Sequence, residues 1–416
     1  MNSGQMSSVL FLSPEAPYPL HGGGAYRTAS LLHFFARFAQ VDLILFSESG
    51  EPALLPPGLV RSQKVIPLPR HGRGLVARYM RNARRAIAGI PPLIDRLSGM
   101  GPEITRAIGG TRYDLGVIEH FWLAPYITEV KLACRETVLD LHNVESMLHQ
   151  RCATSSKGLV RAGHRRFASA SQTLEAELLP RFSRVLATSE ADRRAGLAIA
   201  PSATITVYPN ALPGIAAPSP VMDMTNGVDV VFSGNFEYHP NIDAVRFLVT
   251  EIWPAVLAGC NTAKNRPRLK LVGRGDQFIR KFLPSDKNIE VTGAVPDARP
   301  EIAAASLVIA PLRAGSGTRI KILEAWSVAR PVLATPLAAE GLETRNGENI
   351  LLAETPSDFA RQLLHLLETP YLRQRLGEYG RKTFERYYTW EAAWHSLERD
   401  LQLTRPETLN RYTGNF

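Results

Sequence analysis

A short segment three quarters of the way along the chain combines groups that bind anions and hydroxyls. Residues 310–336 read APLRAGSGTRIKILEAWSVARPVLATP and pass from an apolar strand through a glycine-rich loop into an amphipathic helix. Free backbone amides at a helix start bind anions, and a glutamate one turn further in points back toward that start. The segment predicts a diphosphate site beside a pair of vicinal hydroxyls, such as those of a ribose. Gly315, Ser316, Gly317 and Thr318 are assigned to the anion together with Lys321, which is expected to add a mobile point charge, and Glu324 is assigned to the hydroxyls.

Other candidate residues follow predicted strands in the first half of the chain. Gly23 and Gly24 belong to a glycine run before a predicted helix, where backbone amides face an anion or a sugar hydroxyl. His142 follows the strand "TVLDL", and an imidazole can hold or move a proton near neutral pH. Glu119 and His120 follow "DLGVI" and are expected to line the acceptor side. The alternative for each is a turn residue or a locally satisfied polar group.

Two further candidate segments lie in the second half. Gly234 and Asn235 follow "VDVVFS" and permit a sharp turn with close backbone approach. Arg274 lies between two glycines in "LVGRGD" and is expected to pair either with a phosphate or with its neighbour Asp276.

The elements that position these residues alternate between short apolar strands and longer helical stretches. This alternation predicts an α/β fold with two doubly wound, Rossmann-like domains. Strands are predicted at "VLFLS", "VDLILF", "DLGVIE", "TVLDL", "RVLATS" and "TITVYP", and then at "VDVVFSG", "LKLVG", "IEVTG", "SLVIAP", "PVLAT" and "NILLA". A proline-rich linker at 209–227 separates domains at 1–212 and 213–386, and 387–416 is expected to form a helix that returns to the first domain. Ligands are expected in a crevice at the strand ends, between the domains.

Composition and charge narrow the class of protein. The chain has 416 residues, of which 45% are hydrophobic and 21% charged, as is typical of folded globular proteins. Its start lacks a basic segment and a long apolar run, so a cytoplasmic location is expected. The three cysteines show no metal-ligand spacing.

The formal net charge of +9 favours an anionic partner. Residues 71–90 hold five arginines and no acid at roughly helical spacing, a pattern that suits peripheral contact with an anionic membrane. The alternative is a solvated basic helix face.

Together these motifs resemble retaining GT-B glycosyltransferases of family 4 over nearly the whole chain. The resemblance rests on "HGGGAYR", "LDLHNVE", "FSGNFEYHPN", "LVGRGD", the segment 310–336 and "YTWEAAW". It implies that the second domain binds a nucleotide diphosphate sugar and the first binds a glycan, glycolipid or small-molecule acceptor, with no role for nucleic acid. It assigns Glu324 to the ribose, Lys321 and the loop amides to the diphosphate, and His142 to the reacting centre. It also implies transfer with retention of anomeric configuration, in envelope polysaccharide or glycolipid synthesis.

Two positions depart from that family's pattern. The first of its two usual glutamates falls at Ser316, and His239 stands where a lysine is usual; Arg274, Arg313, Arg319 and Lys321 are candidates to replace the lost charge. No two aspartates are spaced D-x-D, so no metal-diphosphate site and no cofactor are expected. The alternatives left open are a nucleotide-sugar 2-epimerase and a non-catalytic homologue that binds a nucleotide sugar.

Overall fold

A computed structural model describes residues 6–20, 22–69, 75–214, 229–260, 266–315 and 320–401. These residues form two compact units. The first contains residues 6–20, 24–209 and 394–401, and the second contains 22–23 and 210–393. The predicted boundary after residue 212 lies close to this division.

The first domain is built on a parallel sheet that has seven strands in its described part. Its strands are β1 Ser8–Ser13, β2 Gln40–Ser47, β3 Ser62–Pro67, β4 Tyr113–Glu119, β5 Cys134–Asp140, β6 Arg184–Ala187 and β7 Ile205–Val207. They lie in the order β3-β2-β1-β4-β5-β6-β7. The central strands are apolar on both faces, as is typical of parallel strands that are covered by helices on either side.

The helices of this domain lie between strands that follow one another along the chain. They are α1 Gly23–Ala36, α2 Leu75–Ala88, α3 Pro92–Arg96, α4 Gly101–Ile108, α5 Ile127–Ala133, α6 Glu145–Ser155, α7 Gly158–Leu178 and α8 Glu190–Ile199, with 3-10 turns at Phe121–Tyr126 and Leu179–Arg181.

The second domain is also built on a parallel sheet, which has six strands in its described part. Its strands are β8 Asp229–Ser233, β9 Arg268–Val272, β10 Ile289–Gly293, β11 Leu307–Ala310, β12 Val332–Ala334 and β13 Leu351–Leu352, in the order β10-β9-β8-β11-β12-β13. Its helices are α9 His239–Phe247, α10 Trp253–Gly259, α11 Arg299–Ala304, α12 Ile320–Ser327, α13 Pro336–Ala339, α14 Pro356–Glu368 and α15 Pro370–Tyr387. The chain then continues into α16 Trp390–Leu401, of which residues 394–401 belong to the first unit. A π-helical turn, Leu248–Ile252, joins α9 to α10, and 3-10 turns occupy Asp276–Phe278 and Arg280–Phe282.

Each sheet reverses its strand order at one point. In the first sheet the reversal lies between β1 and β4, and in the second it lies between β8 and β11. Open parallel sheets bind ligands outside the carboxyl ends of the strands at such a point. The segments that follow these four strands are therefore the places to look for a site.

The fold class and all twelve predicted strands are confirmed. The sequence prediction missed β3, because this edge strand buries only Ile66 and shows no apolar run. The predicted basic helix is α2; residues 71–74 lie outside the described residues, as does most of the predicted linker.

The last helix, α16, begins at Trp390, within the segment 387–416 in which the sequence predicts a helix. The hydroxyl of Thr389 accepts a hydrogen bond from the amide of Ala392 at 3.1 Å and caps α16. Further along α16, the Trp394 indole donates to the backbone oxygen of Ser30 at 3.1 Å, within the first domain. No helix in the described parts of the chain has both the length and the apolar character needed to cross a bilayer.

Candidate active site

Lys321 is fixed at the reversal point of the second sheet. It lies in the first turn of α12, and its ammonium donates to Asn241 Oδ1 at 2.9 Å. The same nitrogen lies 4.1 Å from the ring centre of Phe232, near the end of β8. The sequence predicted a mobile charge, and this is wrong: the side chain is 8% exposed. A buried cation therefore lies next to the carboxyl end of β8.

Glu324 carries a half-buried carboxylate one turn further along α12. Burial raises its pKa to about 7, and the negative charge of Asp297 adds to this, while the cations Lys321 and Arg299 act in the opposite direction. Among the described residues its carboxylate forms no hydrogen bond or ion pair, and this includes Lys321, which lies three residues earlier on α12. The carboxylate oxygens are available to a ligand.

The glycine-rich loop before α12 is described only in part. Gly315 has φ 109°, a conformation that favours glycine. The other predicted loop ligands, Ser316, Gly317 and Thr318, and the substitute cation Arg319 lie outside the described residues.

The turn after β8 is held by its own backbone and by α9. The carbonyl oxygen of Asn235 accepts from Asn241 Nδ2 at 2.9 Å, and the Asn235 side chain accepts from the amide of Glu237 at 2.9 Å. A Cβ on Gly273 would overlap the carbonyl oxygen of Gly234, and Gly273 has φ 147°. Gly273 therefore permits the close approach of the segments after β8 and β9. A Cβ on Gly234, where the sequence predicted a close approach, would lie 2.9 Å from the side-chain nitrogen of Asn241.

The arginines of this domain are less available than predicted. Arg274 lies 3.7 Å from Glu237, while Asp276 pairs with Arg280 at 2.7 Å, so the predicted pair with Asp276 does not form. Arg313 pairs with Asp243 at 2.9 Å, which neutralises a cation expected to serve the phosphate.

In the first domain, His142 lies at the centre of a buried polar cluster. Its Nε2 is 2.7 Å from a Glu119 oxygen and 3.3 Å from Asp140 Oδ2. Burial by itself lowers the pKa of His142, but the bonds to Asp140 and Glu119 outweigh it and raise the pKa to about 9. Because Nε2 is used by these carboxylates, Nδ1 is the ring atom that is left to face outward.

Asp140 is held in turn by Arg27, a pair that the sequence analysis missed. Arg27 Nε donates to Asp140 Oδ2 at 2.7 Å, and Nη1 donates to the carbonyl oxygen of Tyr208 at 2.6 Å. Both side chains are almost fully buried. The signal was an aspartate inside the apolar strand "TVLDL", because a buried charge needs a partner.

His120 stacks between two rings. Its centroid is 3.4 Å from that of His142 and 4.1 Å from that of Trp122. The φ angle of His120 is 63°, in the left-handed region that few non-glycine residues adopt. Such strain occurs often at functional sites.

The start of α1 lies against the same cluster. A Cβ on Gly24 would be 3.6 Å from His142 Nδ1 and 3.4 Å from a carboxylate oxygen of the exposed residue Glu15. Gly23 is the first residue of α1, whereas the sequence analysis placed it in the glycine run before the helix. Glu15, which the sequence analysis did not select, therefore lies at the open side of the His142 imidazole.

The first domain also contains a group of possible metal ligands. One side-chain ligand atom from each of Glu119, His120 and His142 lies within 4.8 Å of the other two. The structure thus brings Glu119 and His120, which the sequence placed after one strand, together with His142, which it placed after another.

Comparison with known proteins finds a family match for much of the second domain. Residues 227–369 match the family model for glycosyl transferases group 1. An uncharacterized glycosyltransferase of Methanocaldococcus jannaschii is 30% identical over 130 residues, which are 29% of this chain. The match spans 36% of that relative's length.

Solved structures match the fold along nearly the whole chain. Sucrose-phosphate synthase from Thermosynechococcus elongatus has a TM-score of 0.72 and 14% identity, covering 95% of this chain and 98% of its own. Anabaena HepE in complex with UDP and glucose has a TM-score of 0.66 and 16% identity, covering 95% and 99%. An E. coli trehalose-6-phosphate structure bound with UDP-2-fluoro glucose has a TM-score of 0.65 and 14% identity, covering 96% and 99%. The chain has the GT-B fold.

Proposed function

We propose that this protein is a retaining glycosyltransferase that moves a sugar from a nucleotide diphosphate sugar to an acceptor hydroxyl. The observation that carries the proposal is the pair Lys321 and Glu324 on α12, at the reversal point of the second sheet. The pair offers a buried cation for a diphosphate and, for the ribose hydroxyls, a carboxylate that has no hydrogen-bond partner among the described residues. Residues 227–369, which match the glycosyl transferase family, contain both side chains.

UDP is the nucleotide that we infer for the donor. HepE and the E. coli structure contain UDP or a UDP sugar, and both share the fold of this chain. Charge-assisted hydrogen bonds to a diphosphate contribute about 1.5–3 kcal/mol each. Lys321 supplies one such bond, and the guanidinium of Arg274 is the candidate for another. The amide of Gly234 already donates to the carbonyl oxygen of Val272 at 2.9 Å.

The first domain is proposed to present the acceptor. His142 Nδ1, beside Gly24 and Glu15, hydrogen-bonds a substrate hydroxyl at the reacting centre, while Glu119 and His120 support the imidazole on the acceptor side. In the transfer step the bond from the sugar C1 to the phosphate oxygen breaks, and a bond from C1 to the acceptor oxygen forms on the same face. The acceptor proton passes to an oxygen of the leaving diphosphate, which the basic groups stabilise.

Turnover with a panel of donors tests this function. The protein is incubated with UDP, GDP, ADP and dTDP sugars, with and without lipid-linked and soluble glycan acceptors, and free nucleoside diphosphate and sugar products are quantified. The proposal expects nucleoside diphosphate release that depends on an acceptor, with a product of retained configuration. Formation of an epimeric nucleotide sugar without any acceptor would instead identify an epimerase, and binding without turnover would identify a non-catalytic homologue.

A surface of the first domain favours peripheral contact with an anionic membrane on the cytoplasmic side. Exposed apolar side chains concentrate in α2, in the segment that leads into α3, and in the first turn of α7: Met80, Ile87, Ile90, Leu93, Leu159 and Val160, all at least 40% exposed. The Arg166 guanidinium donates to the backbone oxygen of Ile87 at 3.1 Å and ties α7 to the end of α2. We call these six residues the apolar surface.

Basic side chains accompany the apolar surface. Arg84 is 72% exposed and lies on the α2 face that carries Met80 and Ile87, and Arg161 and Arg165 are exposed on α7. The sequence analysis counted Arg85 among the arginines of the basic helix. In the structure Arg85 is 8% exposed and pairs with Asp95, so it does not belong to this exposed face. A basic residue near an anionic bilayer contributes about 1 kcal/mol. Apolar and cationic groups side by side match the chemistry of an anionic lipid surface.

We expect the double variant Ile87→Ser, Leu159→Ser to lose roughly tenfold in affinity for vesicles that contain anionic phospholipid, because two apolar side chains no longer enter the bilayer boundary. Leu54→Ser is the matched control, since Leu54 is 92% exposed but lies between β2 and β3. Co-sedimentation with anionic and with zwitterionic vesicles measures the difference. Equal vesicle binding by the double variant and the control would show that the apolar surface does not contact the membrane.

A further inference from the structure

Among the buried side-chain atoms that lack a hydrogen-bond partner in the described part of the first domain, two lie next to His142. They are Glu119 Oε1 and His120 Nε2, and their residues are 0% and 5% exposed. An unsatisfied buried polar atom costs about 1–3 kcal/mol, so such an atom needs an explanation. Both atoms belong to the same small cluster, next to His142.

The geometry of the cluster is that of a set of metal ligands. One ligand atom from each of Glu119, His120 and His142 lies within 4.8 Å of the other two. Ligand atoms at about 2.0–2.2 Å from a zinc ion lie within roughly 4 Å of each other. The rings of His120 and His142 are stacked with their centroids 3.4 Å apart, so metal binding requires the two rings to turn until both nitrogens point at one ion. We propose that Glu119, His120 and His142 form a binding site for a divalent transition-metal ion.

The ligand types select the class of ion. Two imidazoles and one carboxylate suit Zn²⁺, Fe²⁺, Ni²⁺ or Cu²⁺, whereas Mg²⁺ and Ca²⁺ prefer oxygen ligands alone. The absence of D-x-D spacing concerns a metal on the donor diphosphate, which is a different site. Bound metal takes the place of the proton on the His142 nitrogen that it occupies.

The surrounding residues support such a site. Asp140, held by Arg27, lies 3.3 Å from His142 Nε2 and orients the imidazole from outside the ligand set. Trp122 stacks on His120, and its indole nitrogen donates to Glu145 at 3.1 Å, which fixes the plane of the ring. The backbone of His120 is held in the strained left-handed conformation, and its ring stacks on that of His142.

One consequence rests on the proposed function. His142 is the imidazole that we assign to a substrate hydroxyl, so an ion that occupies it excludes that hydroxyl. Zinc at the site is therefore expected to inhibit transfer, and nucleotide binding in the second domain is expected to be unaffected.

Direct titration of the full chain with ZnCl₂ against a chromophoric chelator tests the site without any need for turnover. We expect one tight zinc ion per chain, and at least tenfold weaker binding in His120→Asn and in Glu119→Gln. Asparagine tolerates a positive φ, so His120→Asn preserves the backbone. Circular dichroism confirms folding, and if Glu119→Gln does not fold, the His120→Asn result decides.

His149→Gln is the matched control. His149 is another half-buried histidine of this domain, and its Nδ1 lies 3.2 Å from that of His164, outside the cluster. The proposal predicts wild-type zinc affinity for this variant. Absence of stoichiometric zinc binding to the wild type, equal affinity of wild type and His120→Asn, or loss of binding in His149→Gln would each overturn it. If zinc binds as expected but no donor is ever turned over, the metal site stands and the proposed transferase function fails.

Discussion

Glu324→Ala is expected to lower kcat/KM for sugar transfer by roughly a hundredfold. The carboxylate is half-buried on α12 and has no partner among the described residues. Two charge-assisted hydrogen bonds to ribose hydroxyls contribute about 1.5–3 kcal/mol each, and loss of about 2.7 kcal/mol is a hundredfold. Donor affinity and turnover are measured together, because a residue that binds the nucleotide acts mainly through KM.

The pH dependence of donor binding follows from the pKa of Glu324, which burial raises to about 7. Only the ionised carboxylate accepts two hydroxyl hydrogen bonds, so nucleotide affinity is expected to rise between pH 6 and pH 8. The nucleotide phosphate also ionises in this range, and Glu324→Gln shares that contribution but lacks the carboxylate. The difference between the two pH curves isolates Glu324.

The same group should reduce the stability of the protein without ligand. A carboxyl whose folded pKa is raised from 4.5 to about 7 binds its proton more tightly when folded, so its contribution to stability falls as pH rises from 4.5 to 7. Glu324→Gln is therefore expected to melt higher than wild type above pH 7 and to match it near pH 4.5. Glu301→Ala, in a pair with Lys270 elsewhere in the domain, is the control for loss of an acid. Parallel pH curves of melting temperature for wild type and Glu324→Gln would show that the pKa of Glu324 is not raised. Parallel pH curves of nucleotide affinity for the same two proteins would show that Glu324 does not contact the nucleotide.

His142→Ala is expected to reduce kcat by roughly 10²–10³, a typical cost for removing a positioned group that contacts the reacting centre. Glu119 and Asp140 fix its Nε2, and its Nδ1 lies beside Gly24 and Glu15. Affinity for the nucleotide alone should stay within twofold of wild type, because the proposed nucleotide ligands belong to the second domain. Steady-state kinetics and nucleotide titration separate the two effects.

His149→Ala serves as the control for loss of a histidine in the same domain. It pairs with His164 between α6 and α7, away from the His142 cluster. If His142→Ala turns over as fast as His149→Ala, His142 does not act at the reacting centre.

The sequence predicted the strands well because the buried parallel strands are continuous apolar runs. The exception, β3, is an edge strand with mixed burial, and its residues carry no such pattern. Strand ends could be located in turn, so the residues that follow them were identified as candidates. Glu119 and His142 were selected in this way, and the fold brings them within 2.7 Å.

Partners across long sequence separations could not be predicted. Arg27 and Asp140 are 113 positions apart and meet only because α1 packs near the end of β5. Lys321 was expected to be mobile, but Asn241, 80 positions earlier, holds its ammonium. Arg313 was expected to serve the phosphate, but Asp243 and Glu251 surround it. Charge type is visible in a sequence, whereas the pairing that neutralises a charge depends on tertiary structure.

Calorimetric titration of UDP, GDP, ADP and dTDP into wild type, Lys321→Ala and Lys270→Ala tests the central claim, that α12 forms the donor site. Lys270 is the matched control, since it pairs with Glu301 at 2.9 Å on the same sheet but outside the candidate site. The account predicts that one nucleotide, UDP, binds clearly, that Lys321→Ala weakens it at least tenfold, and that Lys270→Ala does not. Failure of all four nucleotides to bind wild type, or equal UDP affinity in wild type and Lys321→Ala, would contradict it.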